Sequence, residues 1–556
     1  MTRTTTTPCR TVDPITLEVL RNKLDGIADE MEATLIRSSF SPVVKESMDA
    51  SASLFTIDGT TLAQATAIPI HLATLIPCVA RIIETFPVAT MREGDLFILN
   101  DPYLGGTHLP DFAVIMPVFH GEIPVALSCT MTHHQDVGGM TAGSVPTDAT
   151  EIFQEGIRIP PLRLRSGDAW NDTLLALLKQ NVRMPETFLG DLNAQVAGCA
   201  TGARRVQELA AVYGTDQLAA MFAELLDRSE RLTREAISAL PDGRYTYVDF
   251  LDNDGVELDK RVRVEVTAIV EGDTIVFDFT GTSLQTTGPI NAVPSGALAA
   301  AFFTVRAVTD PLIPTNGGCI RPVRLVLPEG SLVNPNEPAP VNTRTVTIKM
   351  MAACMLGAFR ECIPDKIPAS DAVVMNGIVW SGIRDDGSRY VLSEMIAGGS
   401  GAAIDRDGLD VIETDVTNCM NLPVESLEMN TPIRMHQCAI RPDSGGLGQY
   451  RGGNGVIREY ELLEGTARIT HRGERFFSEP PGTAGGESGM SGESWIVREN
   501  GEREDIPSKR VFTMHRGDRL VVQTPGGGGY GPAKARDADA IAMDLRNGKT
   551  TLSQAR

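Results

Sequence analysis

Hydrophobic positions recur at a helical period from the start of the chain. Asp13-Pro14 supplies an N-cap and a first helical residue, and Leu20, Leu24, Ile27, Met31 and Leu35 follow with charges between them. This is the pattern of a helix that buries one face. From Leu54 to Asn100 the pattern is mixed. It predicts short strands at Ala52–Ile57 and Leu96–Asn100 and a helix across Leu72–Thr85. Residues 112–132 read as a β-hairpin, with Ala113–Phe119 and Ile123–Thr132 joined by His120-Gly121-Glu122. Residues 173–240 read as helical throughout, carried by Leu174, Leu178, Leu218, Met221, Phe222 and Leu225.

The period then changes. Val262, Val264, Val266, Ala268 and Val270 alternate with more polar neighbours, and Glu271-Gly272-Asp273 turns that strand into Thr274–Phe279. Helical runs return at Ser295–Val308 and Thr345–Cys362 between Gly- and Pro-rich connections. From Ser426 onward strands and glycine turns dominate, with Asn500-Gly501 as a hairpin turn and a last helix over Asp537–Arg546. The expected fold is a multidomain α+β chain. An N-terminal mixed α/β region with the hairpin spans 1–170, a helical segment 171–240, a mixed β/α region 241–425, a β-rich region 426–532 and a helical tail 533–556.

Length and composition fit that picture. At 556 residues, 42% hydrophobic and 22% charged, the chain has room for several cores. Asp plus Glu is 71 against 50 for Lys plus Arg, a net charge of −21. Nucleic acid and anionic membrane surfaces want the opposite sign, so neither is an expected partner. Nine cysteines without a C-x-x-C read as reduced thiols of a cytoplasmic protein. The Thr-rich start has no apolar signal core, and the most apolar stretch, Ala297–Val305, is too short to span a bilayer.

Four of the eight histidines fall between 108 and 134. His108-Leu-Pro-Asp111 and His133-His-Gln-Asp136 each place a carboxylate three residues after an imidazole. With the turn centred on Gly121, Asp111 falls opposite about residue 131 and His108 opposite about 134, and cross-strand neighbours lie about 5 Å apart. The open end of the hairpin thus gathers two imidazoles and two carboxylates, while His120 sits roughly 40 Å away at the turn. Such a set either holds a divalent ion such as Zn²⁺, Mn²⁺ or Fe²⁺ or is a group of loop residues bonded to one another. If the loop is extended, His133 and His134 point opposite ways and one of them faces the cluster.

Other candidates have plainer readings. Glu46 and Asp49 read as a solvated turn, His71 in Ile-Pro-Ile-His-Leu as a satisfied core histidine, and Glu151 and Glu155 as surface carboxylates. The glycine runs 444–455 and 525–529 lack a following helix and read as tight β-turns rather than phosphate cradles. Gly548-Lys549-Thr550 resembles a P-loop ending, but Met543 stands where its first glycine belongs. Neither H-E-x-x-H nor G-x-S-x-G occurs.

Taken in order, a set of strings resembles the hydantoinase B / 5-oxoprolinase family. They are Lys45-Glu-Ser-Met-Asp49, Asn100-Asp-Pro-Tyr-Leu-Gly-Gly-Thr-His-Leu-Pro-Asp111, His133-His-Gln-Asp-Val-Gly-Gly139, Gln154-Glu-Gly-Ile-Arg-Ile-Pro160, Asp278-Phe-Thr-Gly281, Gly288-Pro-Ile-Asn291, Tyr450-Arg-Gly-Gly453 and Thr524-Pro-Gly-Gly-Gly-Gly-Tyr530. The resemblance implies a B-type subunit that works with a larger, ATP-binding hydantoinase A-type partner. That partner phosphorylates a carbonyl oxygen, and the B-type subunit carries the metal site where the activated intermediate reacts. It implies metal ligands at His108, Asp111, His133 and Asp49, with Zn or Mn as the ion. It implies a proton-transfer or water-orienting role for Asp49 or Asp136, with Asp136 otherwise fixing His133 or a neighbouring loop. The implied activity is ATP-dependent opening of a hydantoin, oxoproline or lactam ring. ATP-dependent ketone carboxylation is the alternative within the family, and a non-catalytic stabilising subunit the alternative outside enzymology.

Overall fold

A computed structural model describes residues 13–551 except Val374. Its first unit is a seven-stranded sheet built from Ala50–Phe55 (β1), Thr61–Gln64 (β2), Leu96–Leu99 (β3), Asp111–His120 (β4), Ile123–His133 (β5), Leu162–Ser166 (β6) and Ala169–Trp170 (β7), in the order β2-β1-β5-β4-β3-β6-β7. Helix Pro14–Ser38 (α1) begins where the sequence places it, with the Asp13 carboxylate accepting from Thr16 N at 2.9 Å. A short turn, Pro42–Lys45 (α2), leads into β1, and Pro69–Thr85 (α3) crosses the sheet. The expected helical segment is three helices, Asp172–Asn181 (α4), Pro185–Tyr213 (α5) and Thr215–Ser238 (α6), broken at Pro185 and at Gly214, whose φ is +79°.

Helices cover both faces of this sheet, which explains why β4 reads as an unbroken apolar run. Leu20, Leu24, Met31, Leu192 and Val206 of α1 and α5 pack with Leu54, Ile98, Phe112 and Val114 on one face. Leu75, Val79 and Ile82 of α3 pack with Phe55, Phe97, Ile115 and Met131 on the other. The approach of α5 is close: a Cβ at Gly202 would lie 2.3 Å from Met31 Sδ and 2.4 Å from Ser128 Oγ.

A second sheet, Gly243–Leu251 (β8), Val262–Glu271 (β9), Thr274–Asp278 (β10) and Val323–Val326 (β11), runs β11-β10-β9-β8. The alternating residues of β9 are buried one by one, as their period predicts. They pack with helices Pro294–Val308 (α7) and Thr345–Phe359 (α8). The third sheet joins Met375–Ile383 (β12) and Arg389–Ala397 (β13) to two strands from beyond residue 425. After helix Val424–Asn430 (α9) come Ile433–Ile440 (β14), Val456–Leu462 (β15), Thr466–Arg472 (β16), Glu493–Val497 (β17), Arg503–Ile506 (β18), Lys509–His515 (β19) and Arg519–Gln523 (β20). The third sheet is β13-β12-β16-β19, and the fourth β14-β15-β20-β17-β18. Trp380, Leu392, Ile469 and Phe512 of one pack with Tyr460, Ile496 and Leu520 of the other, a two-layer core. Helix Ala538–Arg546 (α10) follows.

The α+β expectation therefore holds, but local readings change, among them Asp49, which is buried rather than part of a solvated turn. The hairpin turns between Gly121 and Glu122 rather than on Gly121, and an irregularity between Val118 and Phe119 shifts it one residue more, so Asp111 lies directly opposite His133 rather than residue 131. Glu155 is fully buried rather than a surface group. The glycine runs are not β-turns. They are segments stacked on one another with backbone hydrogen bonds such as Gly527 N to Gly453 O (2.8 Å) and Gly453 N to Ser400 O (2.8 Å). A Cβ at Gly527 would lie 1.9 Å from Ser400 O, so this packing admits no side chain there. Cys9 lies outside the described residues, and the eight cysteines within them carry free thiols.

Candidate metal centre

The site forms where β4 begins and β5 ends. His108 stands in the connection into β4, Asp111 is its first residue, and His133 is the last residue of β5. Direct pairing of Asp111 with His133 brings the three side chains together. One ligand atom from each of His108, Asp111 and His133 lies within 4.8 Å of the others. The His108 and His133 rings are 5.0 Å apart, and His108 Nε2 is 3.0 Å from Asp111 Oδ1. All three residues are buried.

Asp49 precedes β1, and its backbone oxygen accepts from His133 N at 3.1 Å. Its carboxylate stands beside the group of three, and His71 bridges the gap. His71 Nε2 is 3.5 Å from Asp49 Oδ1 and 3.6 Å from Asp111 Oδ1. His71, read from sequence as a core histidine, is thus part of the cluster. Nothing near it in sequence signals this, because its partners arrive only when the first turn of α3 meets the start of β4. His134 turns away, as the extended-loop argument anticipates: its Nε2 is 3.1 Å from Gln195 Oε1, and its ring packs on Phe188. His120 is exposed at the far end of the hairpin.

Asp136 lies apart from the cluster. Its Oδ1 accepts from Gly138 N (3.1 Å) and Arg183 N (2.9 Å), and its Oδ2 from Gly143 N (2.9 Å) and Arg183 Nη1 (3.0 Å). Both oxygens hold the loop after β5, so the geometry favours the loop role over proton transfer.

Residues far away in sequence complete the surroundings. Arg344 donates from Nη2 to Asp111 Oδ2 (2.7 Å), from Nε to Thr107 Oγ1 (2.7 Å) and from Nη1 to Thr345 Oγ1 (2.6 Å). Asn342 Oδ1 lies 2.7 Å from His108 Nδ1, and its Nδ2 donates to Ser144 O. That second bond fixes the amide orientation, so Oδ1 accepts and His108 carries its proton on Nδ1. The lone pair then sits on Nε2, facing the cluster. Asn342 N and Val341 N in turn donate to the Glu155 carboxylate at 2.8 and 3.1 Å.

The electrostatics keep the imidazoles of His108 and His133 neutral and the Asp111 carboxylate charged. Burial, then the Arg344 charge, push His108 down to about 4. Burial and the neighbouring His108 hold His133 well below the usual imidazole range. For Asp111 burial works upward, but His108 and Arg344 outweigh it and hold the carboxyl well below its ordinary value. Burial raises Asp49 to about 6, with His71 opposing. Burial works downward on His71, yet Asp111 and then Asp49 raise it overall.

Neutral imidazoles and an ionised carboxylate are the forms that bind metal. His108 Nε2, Asp111 Oδ1 and His133 Nδ1 are all buried and lack a hydrogen-bond partner. Buried polar atoms are normally satisfied, and a shared cation would satisfy atoms of this kind. The residues therefore fit a divalent ion. A cavity opens beside them, walled by Ile70 and Val145 on one side and by Met375, Ile378 and Met395 of the third sheet on the other.

Residues 13–533 match the family model described as hydantoinase B/oxoprolinase. The chain belongs to the hydantoinase B/oxoprolinase family. This family member is 31% identical to a Pseudomonas sp. (strain NS671) protein named as the B component of a D-/L-hydantoinase, over 99% of the chain and 95% of that protein. It superposes on the crystal structure of ATP-dependent caprolactamase from Pseudomonas jessenii with a TM-score of 0.91 and 29% identity, covering 98% of this chain and 96% of that one. A nucleotide-free acetone carboxylase structure shares the fold, with a TM-score of 0.89 at 19% identity over 98% of this chain and 79% of that one. Among the described residues no helix is long and apolar enough to cross a membrane.

Proposed function

We propose that this chain is the metal-binding B-type subunit of an ATP-dependent cyclic-amide hydrolase. In this reading a larger hydantoinase A-type partner binds ATP and phosphorylates the carbonyl oxygen of a hydantoin, oxoproline or lactam, and the activated ring opens at the site described above. One observation carries the reading: buried His108, Asp111 and His133 bring one ligand atom each within 4.8 Å of the others in a chain of this family. His108, Asp111 and His133 hold the ion, Zn²⁺ or Mn²⁺ by the chemistry of the donors, with Asp49 beside them. When bound, the ion supplies Lewis acidity toward a carbonyl or phosphoryl oxygen and makes water more acidic.

The chain's own groups do the rest. Phosphorylation of the carbonyl oxygen makes the carbonyl carbon a stronger electrophile: water adds to it, the C–N bond breaks as the ring nitrogen takes a proton, and the acyl phosphate that remains is hydrolysed to a carboxylate and inorganic phosphate. Asp49 Oδ1 accepts the proton of the attacking water. Burial raises this carboxyl above the ordinary aspartate range, which makes it a stronger base than an exposed aspartate. His71 Nε2 holds Asp49 and Asp111 in place. Arg344 orients Asp111, and Asn342 sets the His108 tautomer. Asp136 positions the loop after β5. The apolar wall of Ile70, Met375, Ile378 and Met395 takes the hydrocarbon part of the ring. The free thiols of the described cysteines support a place in the cytoplasm.

The test is elemental analysis of the purified chain beside His133→Ala, with both checked for folding, followed by ATP-dependent ring opening with an A-type partner. About one transition-metal ion per chain, lost together with turnover in the variant, is the expected result. Turnover that survives His133→Ala refutes the site and leaves the stabilising role as the reading. Incorporation of bicarbonate carbon without ring opening moves the chain to the ketone carboxylases.

A further inference from the structure

Two buried arginines line the cavity beside the ligand cluster, and they differ in one respect. Arg344 spends its guanidinium on Asp111, Thr107 and Thr345. Arg472, the last residue of β16, spends none of its own. It is 7% exposed, and its Nε and Nη1 are fully enclosed without a hydrogen-bond partner. Among the described residues no carboxylate forms an ion pair with it. Asp49 and Glu413 act on it only through their charge at longer range.

The fold makes room for this guanidinium. Gly377 of β12 pairs with Arg472 across the sheet, and a Cβ there would lie 2.8 Å from Arg472 Nη2 and 2.9 Å from Nε. The cross-strand neighbour on that side is thus the one residue type without a side chain to displace it. A buried cation left without a partner is strongly destabilising. An arrangement that keeps one therefore calls for an anion from outside the chain. A guanidinium is planar and always charged, and it matches the oxygens of phosphate and carboxylate.

We infer that Arg472 is the receptor for the anionic group of the ligand in this cavity, a phosphoryl or carboxylate group attached to a small apolar body. The inference rests on the proposed function for the source of the anion: the phosphoryl group of the activated amide, or the carboxylate that ring opening releases. It does not rest on the metal ligands. Burial and the neighbouring Arg344 lower the Arg472 pKa only to about 10, so it keeps its charge at working pH.

The experiment measures binding of inorganic phosphate and of acetate to the full chain by calorimetry, as purified and again after chelation, with metal content determined in parallel. Arg472→Gln is expected to weaken anion binding by about 100-fold, the loss of one or two charge-assisted hydrogen bonds, at unchanged metal content. Arg472→Lys recovers part of it. Gly377→Ala keeps the charge but displaces the guanidinium, so it weakens binding as well and decides the matter if Arg472→Gln does not fold. A preference for phosphate assigns the group to the activated intermediate, and a preference for acetate to the product. Anion binding that is absent in the parent chain, or equal in parent and Arg472→Gln, overturns the inference. A chain that binds no metal yet binds phosphate through Arg472 refutes the metal-site reading and leaves this one standing.

Discussion

Asp111→Asn keeps the shape of the side chain and removes its charge. In the parent, Asp111 Oδ2 accepts from Arg344 Nη2 at 2.7 Å, both groups are buried, and the other partners of Arg344 are neutral hydroxyls. The variant leaves the guanidinium without its hydrogen-bonded counter-charge, with Asp49 acting only from further off, a change expected to cost about 3–5 kcal/mol. If the seven-stranded sheet and its helices melt as a unit of ordinary domain size, that loss lowers the transition by roughly 6–20 °C. The measurement is thermal unfolding with chelator present, so that loss of an ion does not add to the difference. Hydrogen exchange of the β4 and β5 amides then shows whether the loss is local to the site. Arg344→Met combined with Asp111→Asn removes both charges and is expected to be less destabilised than the two single changes summed. An Asp111→Asn chain within about 1 kcal/mol of the parent would refute the claim that Asp111 neutralises Arg344, and with it the account of why this carboxyl stays ionised.

Three further outcomes follow from the same geometry. Asn342→Ala removes the group that sets the His108 tautomer, so metal affinity measured by competition with a chelator is expected to fall about 10–100-fold with the fold retained. Glu155 is raised to about 8 by burial, against the pull of two backbone N–H donors. It stays protonated in the folded chain while the unfolded chain ionises above about 4.5, so its contribution to stability is complete below that pH and is lost as pH rises toward 8. Glu155→Gln should therefore flatten the fall in melting temperature between pH 5 and 8; an unchanged slope would show that Glu155 is ionised in the fold. Gly527→Ala would place a Cβ 1.9 Å from Ser400 O, and denaturant unfolding should show a loss of about 3 kcal/mol or more.

The sequence alone determined the parts of this protein that depend on local pattern. The cap at Asp13-Pro14, the stripe from Leu20 to Leu35, the alternation of β9 and the hairpin around Gly121 all appear where their periodicity puts them, because a helix stripe and a strand face are fixed by backbone geometry. The same hairpin made His108, Asp111 and His133 visible as a group, since two strands joined by a short turn must bring their open ends together. Its register escaped by two residues, one because the turn is centred between Gly121 and Glu122 and one because an irregularity late in β4 leaves no mark in the hydrophobic pattern. What only the tertiary structure decided is everything that reaches the site from elsewhere. His71 arrives on the first turn of α3, Asn342 and Arg344 stand just ahead of α8, and Gly377 and Arg472 come from the third sheet. None has a local signature, because a buried charge or amide is specified by the partners it meets, and these lie tens to hundreds of residues away. Glu155 and the glycine stack escaped for the same reason: burial turns an ordinary carboxylate into a fixed anchor, and close backbone packing turns apparent turn residues into a core.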